Sequence, residues 1–501
     1  MKVNNFDIVV LGANLSALIS AAFLCKSGYR VLIIETEDTK ENDTSEFFDE
    51  DATSFIAGCA PNRILYNVFR ELSIPIHHQH KFKVNELSYQ IAMPTTRIDV
   101  GSNWNLYYQE IKREFSDDIE VIDTLYREVT KCDKLLTEIF YSYLLHPQKL
   151  SSKLKSSFVM HLESLFKINE DEKNFAEILL SDFNDPLFRR ILKLQLNTFS
   201  NLLKDDKSNL VTLFLLGTYQ RGIVQEVDKL SVLKRIIKDQ IVATHGEFIH
   251  SKGIDSISVS KRSPLKDKKG IVIKFTDLKR VVEGKTMIYG QALSYLPNAL
   301  KGMRLSRNVK SLTNRFSPKK AKLTFKYSID KWGIPIGLKS RVIFSPSASA
   351  RGEDYDRELL VSVAPETKNG AVSENSFILR GTIKEPFQKG LISAARVEEL
   401  YNKVTMQLKE IIPFFDDFVK PRKNLKFHDL KADELKNGDF VYDASFLKNL
   451  SLGEVHSCEI MKNVFFAGKE YLPQLGFEGE VVSGWRTANV IINKFKLNKM
   501  Y

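Results

Sequence analysis

The sequence predicts an α/β chain, with one parallel sheet of the dinucleotide-binding kind and a second sheet that is mainly antiparallel. Three observations carry that prediction. Residues 6–11 (Phe-Asp-Ile-Val-Val-Leu) form a nearly continuous apolar run, as a strand buried on both faces should. Gly12 breaks the run, and residues 15–26 read as a helix of small and aliphatic side chains that ends at Gly28, where a left-handed cap is wanted. Residues 31–34 form a second apolar run, and Glu35 stands at its end, roughly 20 residues past the turn.

A strand–turn–helix–strand unit of this kind aims backbone N–H groups and a helix N-terminus at a diphosphate. Its terminal acid accepts hydrogen bonds from a ribose. The glycine pattern of the turn, G-x-G-x-x-G/A, falls on Gly12, Asn14 and Ala17, with Leu15 and Ser16 between the last two. Ala17 is an accepted variant for close packing of helix on strand. Asn14 replaces the glycine that lets backbone approach a phosphate, so its side chain is expected to point elsewhere.

A chain of 501 residues exceeds one compact core and implies at least two domains. Its 43% hydrophobic and 27% charged content is that of an ordinary soluble protein. No stretch approaches the roughly 20 apolar residues of a membrane span. The first strand starts too early to leave room for a signal peptide, so a cytoplasmic location is expected. Cys25, Cys59, Cys132 and Cys458 fit no metal or redox spacing and read as reduced structural thiols. His77, His78 and His80 lack a further ligand at metal spacing, so no metal is expected. The net charge of +11 favours acidic partners. No nucleic-acid-binding signature accompanies it, which places an anionic membrane surface ahead of nucleic acid.

Along the chain, residues 36–51 read as an acidic loop and residues 60–72 as a helix. Residues 105–203 look helical throughout, divided by Pro147 and Pro186. A helix over 222–240 precedes short strands near 246–249, 253–259, 270–275 and 285–289, which suits a return to the nucleotide sheet with a small meander. Strands at 319–329, 340–344, 358–363 and 376–380 suggest the antiparallel second sheet, followed by an amphipathic helix at 396–412. Residues 463–468 are a last strand and 479–494 a last helix.

That final stretch, Asn463-Val-Phe-Phe-Ala-Gly468-Lys469-Glu470 and then Gly476-Phe477-Glu478-Gly479-Glu480-Val-Val-Ser483-Gly484, resembles the C-terminal signature of flavin amine oxidases and phytoene desaturases. The resemblance covers most of the chain in order, and its two ends are the specific parts. It implies a Rossmann-like FAD-binding domain built from residues 1–100, 216–300 and 426–501. The second domain would then be a helical insertion at 101–215 and a sheet with a helix at 301–425. It implies FAD held non-covalently, with Gly12, Asn14, Leu15, Ser16, Ala17, Glu35, Ile254, Gly468, Glu470, Glu478 and Gly479 along its path. Gly479 should open the last helix close to the flavin ring. Three positions depart from the family: Asn14, residues 37–42 where a Gly-Gly-Arg stretch belongs, and Lys469 in the place of an acid.

The expected function is an oxidoreductase that moves hydride from an apolar or amine substrate to flavin, with no catalytic residue identified. The alternative is a non-catalytic relative that keeps the fold to bind a lipid-like ligand or a protein. Residues 151–167 place Leu154, Phe158, Leu162, Leu165 and Phe166 on one face of a helix, and basic residues fill 301–326, among them Lys319, Lys320 and Lys322. Both suit peripheral attachment to an anionic membrane; the alternative, which the sequence favours, is a helix that packs its apolar stripe on the domain core.

Overall fold

The computed structural model describes residues 3–36, 47–145, 185–203, 209–259, 270–278, 280–300, 313, 318–346, 358–368, 371–386, 391–420, 427–431, 439–442 and 458–499. Its first sheet starts from β1 (Val3–Leu11) and β2 (Val31–Thr36), which α1 (Leu15–Lys26) connects. The two strands are parallel, with Ile8 opposite Val31 and Leu11 opposite Ile34. Side chains from Ile8 to Leu11 are at most 1% exposed, because α1 covers one face and the meander side covers the other. The apolar run of the sequence is thus the signature of a strand without a wet face.

β5 (Glu247–Ser251) continues the sheet beyond β2, while β8 (Val281–Tyr289) and β17 (Val464–Phe466) extend it beyond β1, all in parallel. β6 (Ile254–Val259) and β7 (Ile271–Phe275) form the expected meander against β8, and β16 (Glu459–Met461) closes the edge on β17. The helix Gly476–Lys499 lies along α1, where Trp485 stacks on Phe23 at 4.9 Å and Ser20 Oγ donates to Gly484 O at 2.7 Å.

The second sheet runs, from one edge to the other, through β15 (Phe440–Tyr442), β9 (Pro318–Asp330), β12 (Ala371–Pro386), β11 (Leu359–Lys368), β10 (Arg341–Phe344), β3 (Leu87–Ala92) and β4 (Arg97–Gly101). All pairs are antiparallel except β3 with β10. The helix Ala394–Ile411 buries Val397, Leu400, Val404 and Leu408 in the core of this sheet. The β3–β4 hairpin belongs here, so the chain leaves the first sheet before residue 87 rather than near 100.

Other boundaries move for local reasons. The helix expected from 222 begins at Lys229, because Gly222 and Asp228 both hold positive φ and cannot continue a right-handed helix. The helix expected over 60–72 spans Ile64–Glu71. The acidic loop ends in a short helix, α2 (Glu50–Thr53), capped by Asp49 Oδ1 accepting from Ala52 N at 3.1 Å. The last helix opens at Gly476 and not at Gly479. Among the 301–326 basic residues, Lys322 is corrected to a buried position, paired with Asp439 at 2.8 Å and withheld from any surface. Residues 37–42 and 151–167 lie outside the described residues, and no described helix is long and apolar enough to cross a membrane.

The turn after β1 requires glycine. Gly12 has φ +95°, and a Cβ there would stand 2.6 Å from Gly290 O, since Gly290 N donates to Leu11 O at 2.7 Å. Gly12→Ala therefore adds a left-handed penalty of about 1–2 kcal/mol to a backbone overlap. A loss of about 2 kcal/mol or more is expected from denaturant unfolding, and an unchanged midpoint would show that the turn relaxes at no cost.

Candidate functional site

The parallel strands β1, β2, β8 and β17 all end at one edge, the place where an open α/β sheet offers a ligand site. Gly12, Gly290 and Ala467 meet there through Gly290 N to Leu11 O and Ala467 N to Tyr289 O at 3.1 Å. Asn14 sits at the centre of this junction. Its Oδ1 accepts from Ala17 N at 2.8 Å and its Nδ2 donates to Ala467 O at 3.1 Å. The side chain caps α1 and ties it to β17, which is where it points instead of at a phosphate. Leu15 and Ala17 are fully buried, and Ser16 Oγ donates to Glu480 O at 2.7 Å.

Glu35, the last residue of β2 but one, is 8% exposed, with Lys238 Nζ at 2.7 Å and His250 Nδ1 at 3.1 Å from its carboxylate. Ile254 is half-buried at the start of β6, opposite Phe275. Gly468 N donates to Ser483 Oγ at 3.2 Å. Glu470 turns inward and accepts from Leu293 N at 3.0 Å, and burial raises its pKa. Gly479 packs in the first turn of the last helix, where a Cβ would come 2.3 Å from Leu472 O. Its small size makes room for backbone, so a larger residue there disturbs folding as well as any bound ring.

Glu478 joins a second group, buried except for Arg63 at its edge. Arg221 donates from Nε to both of its carboxylate oxygens, at 2.8 and 3.1 Å. Arg221 Nη1 reaches Asp133 Oδ1 at 2.6 Å, and Arg63 holds the other Asp133 oxygen at 2.7 Å.

Beside this group lies a small polar cavity of about 40 Å³, lined by Asn201, Lys322, Asp439, Lys469 and Glu480 with Phe55 and Phe199 among its apolar walls. Lys322 Nζ donates to Asp439 Oδ2 at 2.8 Å and Asn201 Oδ1 at 3.0 Å. Burial pushes the Lys322 ammonium below its ordinary pKa, although Asp439 pulls the other way. Lys469 bridges Glu50 Oε1 at 2.9 Å and Asp439 Oδ1 at 3.3 Å. Burial opposes its charge, but Asp439 and Glu50 outweigh that and hold its pKa well up. Burial alone would raise Glu50 and Asp439; Lys234 and Lys469 bring Glu50 down to about 2, and Lys322 and Lys469 lower Asp439 strongly. Glu480 is only 5% exposed, and burial lifts its pKa to about 7.

Sequence reasoning placed neither Lys322 nor Glu480 in a site. The one available signal was the position of Glu480, directly after Gly479 in the C-terminal motif.

The donor set suits the polar parts of FAD. A carboxylate stands near the end of β2 where a ribose would be held, and the ammonium groups of Lys322 and Lys469 line one cavity. As it stands, about 40 Å³ accommodates a water or two.

Solved structures with this fold include cyclohexylamine oxidase from Brevibacterium oxydans, with a TM-score of 0.53, 13% identity, and 98% of this chain matched to 100% of that one. A putrescine oxidase bound to putrescine matches over 98% of this chain and 100% of its own, with a TM-score of 0.57 and 12% identity. An oxidoreductase from Methanosarcina mazei matches over the same shares, with a TM-score of 0.54 and 13% identity. No protein-family profile and no curated protein matches the sequence. The chain has the fold of these amine oxidases from end to end.

Proposed function

We propose that this chain is an FAD-dependent oxidoreductase that takes hydride from an apolar or amine substrate. The observation that carries the reading is an amine-oxidase fold in which Glu35 and the Gly12 turn stand at the carboxyl edge of the parallel sheet, while Lys469, just past β17 of that sheet, lines a cavity with Lys322 of the second sheet. Bound FAD supplies the hydride acceptor. Glu35 would hold a ribose, and Lys469 would offer positive charge to an anionic group. Burial lowers the pKa of Lys322, so its Nζ releases a proton more readily than an exposed lysine does. Phe55, Phe199 and Leu475 keep water from the cavity wall.

The cofactor is held without a covalent bond. Cys59 is the cysteine beside Glu478, and burial together with that carboxylate pushes its thiol far up, leaving a poor nucleophile. The native protein is expected to show flavin absorbance in the blue, and acid precipitation should leave all of it in the supernatant. Colour retained by the polypeptide would contradict the non-covalent assignment. A protein that stays colourless after incubation with FAD would overturn the oxidoreductase reading.

One observation favours the second reading, a non-catalytic module that keeps the fold. Glu50 already pairs with both Lys234 and Lys469, and the cavity beside them is closed to about 40 Å³. The same colourless result would support it.

A further inference from the structure

The segment after the helix Ile64–Glu71 carries three histidines that form no metal cluster among the described residues, yet it closes a cavity. Ser73 holds φ +57° and turns the chain back. Pro75 precedes the short helix Ile76–Gln79, from which residues 80–84 return to the body of the fold. Gly222 fixes that return: a Cβ on it would stand 2.5 Å from Val84 Cγ2, so only bare backbone fits.

Between the two helices lies a cavity of about 310 Å³ that shares no residue with the Lys322 cavity. Its floor is apolar, made of Cys59, Val84 and the rings of Phe69 and Phe82, whose centres are 5.3 Å apart. Tyr66, Gln79, His80 and Lys83 form the rim, and Ile76 beside them is 68% exposed. Gln79 Nε2 is committed to Ile74 O at 2.8 Å. The side chains of Tyr66, His80 and Lys83 have no hydrogen bond or ion pair among the described residues.

We propose that this cavity binds a small monocarboxylate with an aromatic body, its rings against Phe69 and Phe82 and its carboxylate at Lys83. Size sets the body, since a cavity of about 150 Å³ holds one benzene ring and this one takes two fused rings. Aromatic walls favour an aromatic occupant through stacked and edge contacts. Charge sets the head. No carboxylate lines the cavity among the described residues, and the Lys83 ammonium is exposed and unpaired. Burial, and after it Glu478, keeps the Cys59 thiol neutral. Glu478 itself is paired with Arg221 at 2.8 Å, so no acid is on offer to a cationic head. Tyr66 and His80 bring further O–H and N–H donors to the same rim. The proposal does not rest on the FAD reading, because neither Glu35, the Gly12 turn nor the Lys322 cavity contributes to this lining.

The full-length protein is titrated by calorimetry with 2-naphthoate, 2-naphthamide and 2-naphthylmethylamine, which share a body and differ in the head. Naphthoate is expected to bind about three- to fivefold more tightly than the amide, the worth of one exposed ion pair, and the amine more weakly than either. Lys83→Gln should remove the advantage of naphthoate over the amide, and Lys83→Glu should place the amine ahead of naphthoate. Lys83 is exposed, so neither change threatens the fold. Equal affinity for the three heads, or no binding of naphthoate, would overturn the proposal. Hydrogen exchange with saturating naphthoate locates the site without a variant, and amides of residues 76–84 should gain protection. Protection confined to the Gly12 turn or to residues 469–480 would place the acid elsewhere and count equally against it. Saturating FAD should leave the naphthoate affinity unchanged, and loss of naphthoate binding in FAD would put the acid on the cofactor path and overturn the proposal. Naphthoate bound as expected by a protein that takes up no FAD would remove the FAD reading and leave this site standing.

Discussion

Arg221→Leu is expected to lower the unfolding free energy by about 3–5 kcal/mol, the typical cost of removing one partner from a buried ion pair. Arg221 has no exposed side-chain surface, and it joins three distant segments of the chain. Its Nε holds Glu478 in the last helix, and Nη1 holds Asp133 in the long helix Ile119–Leu145 together with Phe214 O at 2.8 Å. The guanidinium also lies 3.7 Å from the centre of the Phe214 ring. Leucine fills part of the volume but leaves both acids without the cation they share. Arg63 still serves Asp133, so the larger share of the loss falls on Glu478. The double variant Arg221→Leu, Glu478→Leu should recover part of it, because replacing a buried pair by apolar groups is often neutral or better. Arg127→Ala gives the contrast, since its pair with Asp123 is exposed and is worth about 1 kcal/mol at most. Denaturant midpoints of the four proteins decide the matter, and an Arg221→Leu midpoint equal to that of Arg127→Ala would refute the assignment.

What could be read from the sequence follows the range of the interactions involved. The first strand, helix and strand were legible because each is set by neighbours: an apolar run, a glycine, a second apolar run. α1 spans Leu15–Lys26, the limits that its composition and Gly28 imply. The antiparallel second sheet was legible as a succession of strands with few helices between them, but not its order. β3 joins β10 across some 250 residues, a pairing that no local pattern encodes. Asn14 illustrates a partial reading: losing the glycine implied a side chain turned away, while its role as cap and tie to Ala467 needed the structure. The cavity was hidden for the same reason. Lys469 and Glu50 are separated by 419 positions and Lys322 and Asp439 by 117. As isolated lysines and acids in a chain with 73 basic and 62 acidic residues, they carried no signal. Lys469 stands where the resemblance calls for an acid, and its partners Glu50 and Asp439 are acids brought in from elsewhere.

Glu480→Gln is expected to remove most of the stability that the wild type loses between pH 4.5 and 8, about 3 kcal/mol from the displacement of one carboxyl pKa. Burial is the largest cause of the rise to about 7; Lys469 and Lys234 oppose it, while Glu50 and Asp439 add to it. The folded protein therefore binds the Glu480 proton more tightly than the unfolded chain does. That contribution is fully present below the ordinary carboxylate pKa of 4.5 and is lost as pH rises through 7. Glu50 has the opposite sign and a separate window. Its pKa is depressed to about 2, so its contribution is present above 4.5 and disappears only as pH falls toward 2. Between pH 5 and 8 Glu480 contributes a falling slope, to which Glu470, also raised by burial, adds in the same direction. Glutamine keeps the shape and a hydrogen-bonding head without the charge, so its unfolding midpoint should fall less across that range and exceed the wild type at pH 8. At pH 4.5 the two proteins should be close. Thermal or denaturant unfolding measured at half-unit steps of pH reads this directly, and parallel profiles for the two proteins would show that Glu480 is not the group that titrates.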